Sequence, residues 1–289
     1  MHEEISVGAR TRSFTVVSSG TPDPEADLLL VFHGSKQSGQ GFRHFTGYAF
    51  DALAAGGRTV VAYLDGYRGN WNDGRAPSGF PARVENVDDV GFARAVIGRL
   101  ASSHGVDPAR VFAAGYSNGG EMVMRLLHET PDMLAGAAVY SATMPDAGSF
   151  EIPGPPQQPV PLPVLLVHGT KDPIVPYDGG RMSGLAEHLL RVGGTTLSAP
   201  DTAAYFARRN LINSPPQTER IPDASAGDRT RLERTDYREP GRPPVRLVTV
   251  HGGGHTVPGP GRPPRILGHI SRAFSAAQMT GDFLGLRHG

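Results

Sequence analysis

Six short apolar runs, separated by turns and stretches of helical spacing, constrain this chain more than any other feature. They cover residues 28–32, 59–64, 111–114, 137–140, 164–167 and 245–250. Most lack the polar–apolar alternation of a strand with one wet face, so they read as strands buried on both sides. Residues 13–17 alternate more clearly and are expected to form an antiparallel edge strand. Between the runs, residues 88–101 place Val90, Ala93, Val96, Ile97 and Leu100 at helical spacing. Further helices are expected over 118–127, 202–211 and 266–274. Strands alternating with helices predict an α/β fold, a mostly parallel central sheet covered by helices on both faces.

Two stretches break this rhythm. Residues 152–163 are rich in Pro and Gln and are expected to run extended over the surface. Residues 213–244 are polar, although 231–237 alternate like an exposed strand. Neither is a linker between independent units, so residues 1–289 are expected to form a single catalytic domain with one large core.

Composition narrows the classes of function. The 28 basic and 28 acidic residues cancel, which argues against a dedicated nucleic-acid or membrane-surface binder. With no cysteine there is no disulfide, thiolate metal site or Cys nucleophile. The first residues carry Glu3 and Glu4 and lack the basic start and apolar run of a secretory leader. No stretch is apolar for the roughly 18 residues that a membrane span needs. The expectation is a cytoplasmic protein as written, or a secreted one whose leader has been removed.

The chemistry concentrates in three places. Gly115-Tyr116-Ser117-Asn118-Gly119 follows an apolar run and opens a helical stretch, the strand–turn–helix setting of a nucleophile elbow. Small residues are needed two before and two after the serine because the turn is tight. The competing reading is a Gly-rich turn with Ser117 as helix N-cap. A serine hydroxyl needs a base and an orienting carboxylate, in the chain order Ser, acid, His. Asp172 stands just past the 164–167 run and is the expected acid, with Asp178 the nearest competitor. His255 follows three glycines after the last strand and is the expected base, with His251 still close to the strand. Two backbone donors should bind the developing oxyanion: the N–H of Asn118, next to the nucleophile, and the N–H of Ser35, in the loop after the first run. His33 in that loop is expected to brace it by hydrogen bonds. Trp71, in a Gly- and Asn-rich loop, is either an aromatic wall of the substrate groove or a loop anchor; Asn72, Asp73 and Arg75 would hold that loop. No metal-binding helix motif, Walker A loop or dinucleotide-binding glycine pattern is present in a fitting context, so no cofactor or metal is expected.

These motifs together resemble the polyhydroxybutyrate-depolymerase-like esterases, a group that includes feruloyl and acetylxylan esterases. The resemblance runs through Phe32-His33-Gly34, Tyr63-Leu64-Asp65-Gly66, Trp71-Asn72-Asp73-Gly74-Arg75 and Asp88-Asp89-Val90-Gly91-Phe92. It continues through the serine elbow, His168-Gly169-Thr170-Lys171-Asp172, Val175-Pro176-Tyr177 and Gly253-Gly254-His255-Thr256. It implies an α/β-hydrolase fold, a triad of Ser117, Asp172 and His255, and an oxyanion hole at Ser35 and Asn118. It also implies hydrolysis of esters of hydroxy acids, acetyl groups or hydroxycinnamates, with a small or oligomeric ester as partner. Family members commonly carry Trp where this chain has Val257, which suggests a wider or differently shaped acyl pocket; Tyr116 and Trp71 are the other expected substrate contacts. An acyltransferase with the same triad is the alternative reading, and a non-catalytic binding protein on the same fold a more distant one.

Overall fold

The computed structural model describes all residues except 21–24, 155–157, 183, 185–186, 188–191, 223–227 and 288–289. Ten strands form one sheet: β1 (His2–Val7), β2 (Arg10–Val17), β3 (Ala26–Phe32), β4 (Thr59–Leu64), β5 (Val106–Tyr116), β6 (Gly136–Tyr140), β7 (Val164–Gly169), β8 (Gln217–Ile221), β9 (Arg231–Tyr237) and β10 (Val245–His251). Their spatial order is β1-β2-β4-β3-β5-β6-β7-β10-β9-β8. The central six, β4 to β10, are parallel. An antiparallel pair closes each side.

The apolar runs lack alternation because both faces of the sheet are covered. Leu28, Leu30 and Phe32 enter the core on one face, whereas Leu29 and Val31 enter the core on the other. Helices α2 (Asp89–His104), α3 (Asn118–Glu129) and α4 (Ala199–Arg209) supply the first core. Helices α1 (Gly39–Phe45) and α5 (Ala276–Leu284) supply the second. Local chemistry sets their ends. The Asp88 carboxylate caps α2 by accepting from the Gly91 N–H at 2.7 Å, and Gly105 ends it with φ 64°. Ser198 and Ser275 cap α4 and α5 by accepting from the N–H groups of Asp201 and Gln278.

Two expectations are corrected. The 13–17 strand is antiparallel but is not the edge, because the polar segment His2–Val7 pairs outside it. Residues 266–274 are not a helix beyond a short 3-10 turn at Arg265–Leu267. Their carbonyls are used elsewhere: Leu267 accepts from the His255 N–H at 2.6 Å and His269 from the Gly254 N–H at 2.8 Å. The last helix lies further on, at Ala276–Leu284. Among the described residues no helix is long and apolar enough to cross a membrane.

The topology fixes where a site can form. From β3 the chain crosses to β4 on one side, and from β5 it crosses to β6 on the other. The crevice beyond the carboxyl ends of β3 and β5 is therefore a topological switch point, the usual ligand position in an open parallel sheet. The loop starting at His33 leaves one of these strand ends, and Ser117 leaves the other.

Candidate active site

Ser117 sits at the tip of a strained turn, with φ 54° and ψ −123°. That conformation costs about 1–3 kcal/mol for a residue with a Cβ and survives only where its surroundings enforce it. Here they do. The Ser117 N–H donates to the Tyr140 carbonyl at 2.9 Å, and the Ser117 carbonyl accepts from the Glu121 N–H at 3.0 Å. A Cβ on Gly115 would overlap the Gly119 carbonyl, and one on Gly119 would overlap the carbonyl oxygens of Phe32 and His33. The turn thus packs backbone against backbone and seats the start of α3 on the end of β3. Gly119→Ala is expected to destabilise the fold by about 1–3 kcal/mol through overpacking, read from the denaturant midpoint. An unchanged midpoint would contradict this close approach.

The Ser117 side chain makes no helix-capping bond. Its Oγ lies 3.0 Å from Nε2 of His255, and His255 Nδ1 lies 2.7 Å from Oδ2 of Asp172. All three side chains are almost fully buried. The structure therefore brings together the three residues that the sequence nominated. It also separates the competitors: His251 is 42% exposed on β10, 3.6 Å from Glu233.

Asp172 is held from several directions. Its Oδ1 accepts the N–H groups of Ile174 at 2.8 Å and Val175 at 2.9 Å. Burial pushes its pKa up, but the attraction and hydrogen bond of His255, together with His168 and the Ile174 N–H, outweigh this and hold it below the usual carboxylate range. His168, which the sequence reading left without a role, stands behind it, with Nε2 3.0 Å from the Val175 carbonyl and 3.5 Å from Asp172 Oδ2. Its burial lowers its own pKa and keeps it neutral. The ionised Asp172 accepts from Nδ1–H of His255, which leaves Nε2 free to accept the Ser117 proton.

The His255 loop is fixed by close contacts rather than by regular structure. Besides the bonds to Leu267 and His269 partners described above, Gly253 accepts from the Lys171 N–H at 2.8 Å. The Tyr116 hydroxyl donates to the His255 carbonyl at 2.8 Å, and Ser141 Oγ donates to the Thr256 carbonyl at 3.2 Å.

Beyond β3, the Gly34 N–H donates to Gln37 Oε1 at 3.1 Å and the Lys36 N–H to the Gly69 carbonyl at 2.7 Å. Among the described residues, no bond of this loop uses the Ser35 N–H. The Asn118 N–H is the first of α3 and has no intrahelical acceptor. His33 braces the loop as expected: its Nδ1–H donates to the Gly34 carbonyl at 2.7 Å and its Nε2 accepts from the Gly66 N–H at 2.9 Å.

That arrangement requires a neutral imidazole, and burial lowers the His33 pKa to about 4. His128 is likewise buried and lowered to about 4, donating from Nδ1 to the Met124 carbonyl and accepting from the Tyr205 hydroxyl. Between pH 4 and 6.5 the unfolded chain binds these protons and the folded chain does not. The stability is therefore complete above pH 6.5 and is lost as pH falls toward 4, about 3 kcal/mol for each ring. Imidazole NMR is expected to show both rings neutral until about pH 4. Either ring titrating near 6.5 in folded protein would contradict their burial.

The three expected substrate contacts are all buried, and for Trp71 this settles between the two readings. Trp71 is fully buried, with its indole packed edge-on against Phe32, so it anchors a loop and does not wall a groove. Tyr116 is buried against Phe42, Phe45 and the His255 ring. Val257 is buried in the second core. Asn72, Asp73 and Arg75 do hold their loop. Asp73 accepts from the Asn118 amide, Arg75 pairs with the buried Glu121, and the Asn72 N–H donates to Asp89 at 2.7 Å. Cavities of about 570 and 680 Å³ lie away from the triad, lined by Phe274 and Met279 in one case and Phe150 and Tyr205 in the other. The hydrogen-bond chain marks this site.

Comparison with known proteins points to a class of enzyme. The phospholipase/carboxylesterase family model matches residues 93–193. The chain is 34% identical to "Putative esterase NocK" of Nocardia uniformis subsp. tsuyamanensis, over 97% of this chain and 81% of that protein. It is 29% identical to feruloyl esterase B of Piromyces equi, over 82% of this chain and only 41% of that larger protein. Among solved structures, the acetyl xylan esterase from Aspergillus awamori shares the fold, with a TM-score of 0.58 and 15% identity over 99% of this chain and all of that one. The chain belongs to the carboxylic-ester hydrolases of the α/β-hydrolase superfamily.

Proposed function

We propose that the chain hydrolyses carboxylic esters by two-step acyl transfer through Ser117. The observation that carries this reading is the unbroken hydrogen-bond chain from Asp172 through His255 to Ser117 Oγ. His255 takes the hydroxyl proton as Oγ attacks the ester carbonyl, and Asp172 stabilises the imidazolium that forms. The Asn118 and Ser35 N–H groups receive the oxyanion. The tetrahedral intermediate collapses, and the alcohol leaves with the proton from His255. Water then attacks the acyl-enzyme by the same route and returns the free hydroxyl.

The acyl group is proposed to be short or slim, of the acetyl, hydroxyalkanoate or hydroxycinnamate type. The names of the relatives support this class. So does access, because Ser117 keeps only 8% of its surface exposed. A p-nitrophenyl ester series from acetate to octanoate, run beside a methyl hydroxycinnamate, tests it. Turnover per KM is expected to fall by about tenfold or more from the short acyl groups to octanoate. A maximum at octanoate would overturn the assignment of a short or slim acyl group.

A further inference from the structure

Trp71 is the only tryptophan in the chain, and it is fully buried. Its two N–H groups reach different elements. The indole Nε1–H donates to the His33 carbonyl at 2.8 Å, in the loop that carries Ser35. The backbone N–H donates to Asn118 Oδ1 at 2.8 Å, in the residue that follows the nucleophile. The Asn118 amide then donates back to Asp73 Oδ2 at 2.7 Å, two residues beyond Trp71. The indole also lies against the His33 ring, with centroids 4.9 Å apart.

One residue thus ties together the two segments that meet at the switch point, its indole holding the His33 loop and its backbone N–H holding Asn118. We propose that Trp71 is a positioning residue that sets the separation of the Ser35 and Asn118 amides. The inference rests on the oxyanion-hole reading given above. Its physical basis is that β3 and β5 are paired only as far as Phe32 and Gly115, so the sheet does not itself fix the distance between the Ser35 and Asn118 N–H groups three residues beyond. The bonds of the His33 ring, the Gly34 N–H and the Lys36 N–H run within the loop or to Gly66 and Gly69, while Gly34 and the His33 carbonyl meet the elbow by packing alone. Oxyanion donors act only when both lie within hydrogen-bond reach of the same developing charge. A shift of one segment should therefore weaken transition-state binding while leaving ground-state ester binding in place.

A chain with a single tryptophan permits an isosteric test. Biosynthetic replacement of tryptophan by benzothienylalanine puts sulfur in place of the indole N–H and changes only residue 71. The expected result is a fall in kcat of about tenfold or more with KM unchanged, since small displacements of reacting geometry are costly. Affinity for a boronic acid, which forms a tetrahedral adduct on Ser117, should fall by the same factor. Trp71→Phe should show the same split between kcat and KM, with added loss of stability. Unchanged kcat and boronate affinity in the sulfur-containing protein would overturn the inference, as would a rise in KM with kcat intact. Failure of the underlying site reading is recognisable separately: Ser117→Ala would then bind the boronic acid as well as the wild type does.

Discussion

Ser117→Ala is expected to lower ester turnover by about ten-thousand- to a million-fold, the range seen when a serine nucleophile is removed from an intact site. Its effect on stability should be small. Ser117 Oγ makes one hydrogen bond, to His255, and does not cap α3. The backbone at this position has φ 54° whichever of the two residues occupies it. A residue acting only as an N-cap would behave in the opposite way, losing about 1 kcal/mol of stability on truncation to Ala with no loss of chemistry. Measuring kcat and the unfolding midpoint on the same preparation separates the two roles.

Asp172→Asn is the next largest effect, an expected loss of about ten-thousand-fold in kcat near neutral pH. The direction follows from the groups around the carboxylate. Two backbone N–H groups, of Ile174 and Val175, point at Oδ1. An amide at this position must therefore keep its oxygen there and turn its NH2 toward His255. His255 Nδ1 becomes an acceptor, and the imidazole proton moves to Nε2, facing Ser117. A base already protonated toward its nucleophile cannot take the hydroxyl proton. The protein should remain folded, because the amide fills the same space and satisfies the same N–H groups. Near-normal kcat in Asp172→Asn would show that another carboxylate orients His255.

Much of the fold and the central chemistry was legible in the sequence, for physical reasons that differ by element. The serine elbow is local: the glycines that permit backbone-to-backbone packing stand beside the residue they serve. Asp172 and His255 were legible because each follows a strongly apolar strand, and strand ends in a parallel sheet converge on one edge. Trp71 was not, because only the packing of Phe32 and His33 decides whether an aromatic ring in a loop faces inward. The burial of Tyr116 and Val257 was likewise not legible, because it is set by packing against residues distant in sequence. The 266–274 segment has helical spacing, yet its carbonyls at Leu267 and His269 bond the His255 loop, a contact between segments that periodicity does not reveal. The polar strand His2–Val7 carries no apolar run and is recruited by its pairing to Arg10–Val17.

The most direct test of Ser117 as the nucleophile is reaction of the folded protein with a fluorophosphonate, followed by intact-mass and peptide mapping. The expected result is a single adduct on Ser117, formed in step with loss of p-nitrophenyl acetate turnover and absent in Ser117→Ala. An adduct on another residue, or full ester turnover by protein labelled at Ser117, would contradict it.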